Sequence, residues 1–262
     1  MINSIRPRHK SKYIMATLRI IPIIFFITLW HLFVASSPER QFIFSSPLKV
    51  LTALQSLITS LDLFKHGAIT LAETISGFIL GTTAGAAIGL SLWYSRGIAD
   101  IAKPYIVAIG SIPVFVLAPV MIVWFGIGIF SKIMMAALST IIVAIVQAYQ
   151  GALSVDEKHL RLMEVIGASR HQIFRKVIIP SSLIWVINSM KLNIGFALLG
   201  AFIGEFISSE KGLGYLIVKS AGLYDMATVF ASCLALMGIA LGLTFLVTLF
   251  ERKILSWKFK KV

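Results

Sequence analysis

Residues Met226–Phe250 read MATVFASCLALMGIALGLTFLVTLF and contain no Asp, Glu, Lys or Arg. At a rise of about 1.5 Å per residue, a helix of this length crosses the roughly 30 Å hydrocarbon layer of a bilayer. Lipid offers the backbone no hydrogen-bond partners, so a run of this kind must pair its own amides and be helical. Equally charge-free stretches run Ile20–Pro38, Thr74–Ser95, Pro104–Ser131 and Ile133–Val155, and Ser181–Gly204 is interrupted only by Lys191. These are six spans, and the fold class expected is an all-α membrane protein with six transmembrane helices. The turn between the third and fourth is very short, with Gly126, Gly128 and Ser131 as its breakers.

Composition agrees. Of 262 residues, 58% are hydrophobic and 13% charged, against about 25% charged in a soluble domain. Mean hydropathy is +0.91. Six spans of about 20 residues use roughly half the chain, which leaves no room for a separate catalytic domain. One cysteine, Cys233, excludes an internal disulfide and a Cys-rich metal site. The sequence holds no metal-ligand or catalytic constellation such as H-E-x-x-H, so no catalytic residue, metal or cofactor is expected.

Formal net charge is +13, and its distribution reports topology. Seventeen Lys and Arg fall in the N-terminal arm (Arg6, Arg8, Lys10, Lys12, Arg19), the second and fourth interspan loops, and the C-terminal tail (Arg252, Lys253, Lys258, Lys260, Lys261). Six fall on the other side: Arg40, Lys49, Lys65, Lys132, Lys211 and Lys219. The positive-inside rule puts both termini in the cytoplasm. Because the excess is spread over all four cytoplasmic segments, it is not the basic patch of a nucleic-acid binder. The first span is longer than a signal-peptide core, so the run ending Val34-Ala35-Ser36 reads as a retained anchor. The expected division is a basic arm 1–19, a first helix 20–38, an extracytoplasmic loop 39–69, a five-helix core 70–250 that includes a cytoplasmic loop 154–180, and a basic tail 251–262.

That loop, SVDEKHLRLMEVIGASRHQIFRKVIIP, reads as two short amphipathic helices. Leu160, Met163, Ile166, Ile173, Phe174 and Val177 recur at helical spacing. Gly167 suits the end of the first helix. Ser169 and Gln172 form a capping box for the second, and Pro180 punctuates its junction with the fifth span. Such a pair lies on the membrane surface or presents an apolar face to a cytoplasmic partner; periodicity leaves both open.

The positions Gly167, Ala168, Ser169, Val177, Ile179 and Pro180 resemble the cytoplasmic loop of binding-protein-dependent ABC importer permeases of the type I fold. So do Ser46-Pro47, TLAETISGFILGTTAGAAIGL (Thr70–Leu90), SIPVFVLAPVMIVWFGIG (Ser111–Gly128) and GEFISSEKGLGYLI (Gly204–Ile217). Together these are similar to permeases of the nitrate, taurine, sulfonate and thiamine-precursor group. The resemblance implies a permease subunit in the bacterial inner membrane, paired with a second copy as a homodimer. It also implies an ABC ATPase subunit dimer docked on the loop and an extracytoplasmic solute-binding protein that delivers a small solute. Its coupling residues would be Leu160, Met163, Glu164, Gly167, Ala168, Ser169, Ile173, Phe174 and Pro180. The chain departs from the family where a Glu-Ala-Ala triplet normally precedes the Gly: it has Arg161, Leu162 and Met163 there, with Glu164 as the nearest carboxylate. No G-x-x-x-x-G-K-[ST] loop is present, so ATP hydrolysis is expected on the separate subunit.

Within the spans, Gly77, Gly81, Gly85 and Gly89 recur every four residues and mark a close packing face. Pro113 and Pro119 each remove a backbone donor from the third span, which makes it a kinked packing helix or a gate. Lys191 is costly in the membrane unless it meets a hydrated cavity or a carboxylate; on the path it would suit an anionic solute. Glu73 follows Thr70 in the T-x-x-E pattern of a helix cap. Glu205, at the outer end of the fifth span, either meets the binding protein, lines the path or is solvated. The competing class is an ion-coupled secondary transporter or channel, disfavoured by the scarcity of intramembrane carboxylates and of an inverted repeat.

Overall fold

The computed structural model describes the backbone of residues 12–255 and side chains from residue 18. The basic residues at 6, 8, 10, 258, 260 and 261 lie outside the described residues. All regular structure among those residues is helical. Five continuous helical segments are long and apolar enough to cross a bilayer: Leu18–Ala35, Asp62–Tyr94, Ile129–Leu153, Arg170–Ser208 and Met226–Ile254. Two bent helix pairs raise the count to as many as seven.

The first span is α1 (Lys12–Ala35). The segment read as an extracytoplasmic loop is instead largely helical, with α2 (Pro38–Phe44) and α3 (Pro47–Thr59). The Ser46-Pro47 pair starts α3: the Ser46 hydroxyl accepts the Lys49 N–H at 3.3 Å, and Pro47 occupies a first-turn position where its missing donor costs nothing. The next helix, α4 (Asp62–Ser91), begins well before the charge-free stretch at Thr74 and carries Asp62, Lys65, His66 and Glu73 ahead of it. Thr70 and Glu73 are therefore mid-helix, and the helix-cap reading of that pair is wrong.

The third span is broken. It consists of α5 (Arg96–Gly110), a turn through Pro113 and a short 3₁₀ segment, Val114–Leu117, then α6 (Ala118–Phe125), with 86° between the two arms. Pro113 sits at the break with extended backbone, whereas Pro119 lies in the first turn of α6, where it interrupts nothing. Gly126, at φ +78°, closes α6, and Gly128 opens α7 (Ile129–Leu153).

The core is α4, α7 and the fifth long helix, α10 (Ile179–Ser208). Alpha-4 and α7 run parallel, and the four-residue glycine repeat of α4 makes their contact. A Cβ at Gly77, Gly81, Gly85 or Gly89 would fall within 3 Å of the carbonyls of Ile133, Ala137, Ile141 and Ile145 in turn. Ala136, Ala144 and Ala148 complete the seam from the other side. Alpha-10 runs antiparallel to α7, with Gly200 over Ala136 and Gly204 over Lys132. Lipid supplies no hydrophobic drive between helices, so this backbone-to-backbone approach supplies the packing that holds the three together. Alpha-11 (Leu213–Gly222) and α12 (Met226–Ile254) close the chain, α12 resting on α3, α10 and α11. Alpha-1 stands largely apart, touching α12 through Trp30 on Phe230, with ring centroids 5.5 Å apart.

Candidate functional site

Two polar assemblies occupy opposite ends of the α4–α7–α10 core. The first is the Ser154–Pro180 segment. Alpha-8 (Glu157–Val165) is capped by the Asp156 carboxylate, which accepts the Lys158 N–H at 2.9 Å. It ends in a Schellman turn: Ala168 N–H reaches the Met163 carbonyl and Gly167 N–H the Glu164 carbonyl, each at 2.9 Å. Gly167 takes φ +78° there, a conformation open to glycine and strained for most other residues. The second helix, α9 (Arg170–Ile173), starts in a complete capping box, with Ser169 N–H on Gln172 Oε1 at 2.8 Å and Gln172 N–H on Ser169 Oγ at 3.3 Å.

Alpha-9 does not stop at the membrane. It passes through one π-helical turn, Phe174–Ile178, straight into α10, so Arg170–Ser208 is one rod. Pro180 cannot donate, and its ring crowds the carbonyl four residues back. The wider turn just before it, where Ile179 N–H reaches the Phe174 carbonyl, absorbs that crowding. The segment is thus one free helix and one extension of a span.

Apolar contacts fasten it. Leu160, Met163, Ala168, Phe174 and Val177 pack on a buried cluster of Ala152, Ile173 and Ile178. Trp93 stacks on Phe174 with centroids 5.8 Å apart, and the Arg170 guanidinium lies 5.5 Å over the Trp93 ring. The family resemblance implied Leu160 and Met163 as coupling residues, and the structure turns both toward the body of the protein. What faces out is Leu162, Val165 and Ile166, 61%, 84% and 67% exposed, with Glu164 beside them. Of the periodic stripe, Leu160 and Met163 meet the body of the protein, whereas Ile166, just past the end of α8, turns out beside Leu162 and Val165, which lie off the stripe. Arg161, at the departed triplet, pairs among the described residues only with exposed Glu157, at 3.5 Å.

The second assembly lies where α4, α7 and α10 meet at the other end. Glu73, Lys132 and Glu205 are 2%, 2% and 1% exposed. Thr70 Oγ1 donates to Glu205 Oε1 at 2.6 Å and accepts Leu213 N–H at 2.9 Å. Gly214 N–H donates to Glu205 Oε2 at 2.6 Å, and Gly212 N–H to His66 Nδ1 at 2.9 Å. Gly212 takes φ +108°, and a side chain there would run into the Glu205 carboxylate. Lys132 donates to the Ser208 carbonyl at 2.7 Å and to the Ile127 carbonyl. Glu205 is therefore not a solvated end residue: it bolts the Gly212–Gly214 turn onto α4 and α10. Sequence reading missed Lys132 and His66 here, since their partners are 76 and 146 residues away.

Lys191 resolves differently again. Its ammonium meets Glu251 Oε2 at 2.5 Å, with side chains 36% and 11% exposed. The carboxylate alternative is the one the structure shows, and an anion-binding role loses its free charge. Deeper in the core, Asn193 Nδ2 donates to Thr82 Oγ1 at 3.0 Å, tying α10 to α4.

Residues 77–256 match the family described as "Binding-protein-dependent transport system inner membrane component". The formylaminopyrimidine transport permease protein of Halalkalibacterium halodurans is 30% identical over 92% of this chain and 96% of its own. The taurine transport system permease protein of Escherichia coli is 27% identical over 74% of this chain and 71% of its own. Among solved structures, a chain of the inward-facing MetNI methionine ABC transporter superposes with a TM-score of 0.67 at 18% identity, covering 75% of this chain and 97% of that one.

Proposed function

The chain belongs to the binding-protein-dependent transport system inner membrane components and is a multi-pass permease subunit of an ABC importer; on that premise we propose how it engages its partners. Two copies pair in the membrane with both termini in the cytoplasm, as the basic-residue count favours. Each docks the Ser154–Pro180 segment on a separate ATPase subunit, which supplies the nucleotide chemistry. A solute-binding protein delivers a small solute to the opposite face, from the sulfonate and taurine, nitrate or vitamin-precursor classes. ATP binding closes the ATPase pair, and the permease follows as the two-state element whose populations that closure shifts.

The observation that carries this reading is the tip of α8. Leu162, Val165 and Ile166 project from a helix that rests on the Ala152–Ile173–Ile178 cluster through half-buried Leu160 and Met163. A fixed helix with an exposed apolar tip fits a groove on a partner, the helix-in-groove mode of recognition. Gly167, Ala168 and Ser169 set the angle of the tip, while Leu160, Met163, Ile173, Phe174 and Pro180 hold it to the core. In the broken third span, Pro113 is the residue we assign to gating.

The test is affinity purification of the tagged chain in mild detergent, from cells that express the neighbouring genes, followed by partner identification and ATPase assay. A P-loop ATPase co-purifies with the wild type and is lost from Leu162→Asp/Val165→Asp, with membrane insertion unchanged. Ile173→Asp is a poor substitute because it charges the buried cluster. A chain that purifies alone and still transports would make a gradient-driven carrier the better reading.

A further inference from the structure

Alpha-11 begins without a cap of its own. The first amides of any helix lack partners within it, and Gly212, the residue before α11, has no side chain to meet them. Three successive donors, the N–H groups of Gly212, Leu213 and Gly214, are met instead by side chains of other helices: His66 Nδ1 at 2.9 Å, Thr70 Oγ1 at 2.9 Å and Glu205 Oε2 at 2.6 Å. These ties seat α11 on α4 and α10. Thr70 also donates to Glu205, so those two caps brace each other. The third cap is half-buried His66, a side chain whose ordinary titration, near pH 6.5, falls in the range from about pH 5 to 8.

The hydrogen bond fixes which ring nitrogen is bare. Nδ1 accepts the Gly212 amide, so this bond and a proton on Nδ1 exclude each other. An imidazolium would also set a cation against the positive end of the α11 dipole, where anions are favoured. Among the described residues, the charges that reach the ring are Asp62 and Lys65 on α4 and Lys219 on α11. Asp62 and Lys65 face each other at 3.6 Å, and Lys219 lies 5.7 Å over the Tyr215 ring, whose centroid is 5.9 Å from that of His66. From α10, Glu205 faces the same turn with both oxygens held by Thr70 and Gly214. We propose that His66 is a pH-sensitive latch on α11: neutral, it holds the Gly212 amide and seats the helix; protonated, it gives up the amide and leaves Thr70 and Glu205 to hold the turn alone. Alpha-11 joins α10 to α12, so its release frees the adjoining ends of those two spans. The latch goes beyond the importer reading and takes from it only the side of the membrane, which makes the signal acidity outside the cell.

The test uses the full-length permease in nanodiscs. Amide hydrogen exchange at Gly212, Leu213 and Gly214 is read by mass spectrometry and corrected for the intrinsic rate at each pH. In the wild type, protection falls about five-fold over roughly pH 8 to 5, the weight of one neutral hydrogen bond. His66→Asn keeps protection high and flat, because its Oδ1 replaces Nδ1 as an acceptor and does not titrate. His66→Leu is low and flat. Should His66→Asn fail to insert, nitrogen NMR of the histidine-labelled wild type decides, with the His66 signal assigned by its absence from His66→Leu: Nδ1 gains its proton over the same pH interval in which protection is lost. Flat wild-type protection, a parallel fall in the wild type and His66→Asn, or a ring that charges while protection holds would each overturn the latch. The parallel fall would move the pH response to the carboxylates of the cluster. None of these readouts involves the ATPase, so the latch and the importer reading fail separately.

Discussion

Gly167 separates backbone conformation from steric space, because its φ of +78° is strained for a side chain while a Cβ placed there meets nothing within 4 Å. Replacing it with Val therefore costs only the left-handed conformation, about 1–2 kcal/mol, the bulk itself being harmless. One to two kcal/mol is roughly a factor of 5–30 in an equilibrium constant. If the Schellman turn presets the angle of α8 for docking, Gly167→Val weakens ATPase binding by about that factor. Gly167→Asn should stay close to wild type, since Asn tolerates the left-handed region. The assay is titration of the purified ATPase subunit onto the permease in nanodiscs, alongside a thermal scan to register insertion and folding. Wild-type affinity for Gly167→Val would refute the role of the turn. Equal loss in Val and Asn would show that the ATPase itself approaches the glycine, a different cause.

Other perturbations give separate readings. Lys191→Met strands the Glu251 carboxylate and should lower thermal stability by about 2 kcal/mol, less than the 3–5 of a fully buried pair because the lysine is partly exposed. Lys191→Met/Glu251→Leu should recover stability and uptake, whereas a recovered fold without uptake would return Lys191 to the solute path. Gly81→Val drives a side chain into the Ala137 carbonyl across the α4–α7 seam and should cost about 1–3 kcal/mol, while Gly195→Ala, with open space around it, should be neutral by the same scan. Pro113→Ala should change uptake with assembly intact, and Pro119→Leu should not, since Pro119 only begins α6; matching uptake defects in both would argue against assigning the gate to the break.

The membrane spans were legible because charge-free length is a property of contiguous residues. The loop was legible for the same reason: Gly167, Ser169 and Gln172 act on neighbours a few positions away. What escaped depends on distant partners. The absence of charge placed the start of the second span at Thr74, yet α4 reaches back to Asp62, with Thr70 held by Glu205 of α10 and His66 by the Gly212 amide. The same partners turned a local T-x-x-E pattern into two mid-helix residues. Leu160 and Met163 were found as an apolar stripe, but which side of α8 faces the protein depends on Trp93, Ala152 and Ile178, far off in sequence. Two prolines in the third span looked alike, and only the position of each relative to the break distinguishes them.

The unbroken run from Arg170 to Ser208 covers 39 residues, a rod of about 58 Å at helical rise. One tip carries the capping box beside α8, and the other carries Glu205 and the Ser208 carbonyl that Lys132 grips. A tilt of 10° about its midpoint would carry each tip about 5 Å in opposite directions, from that same length. A push at one membrane face would then arrive at the other as displacement without relay through any flexible joint, and the charged cluster around Glu73 would be reshaped in the same stroke.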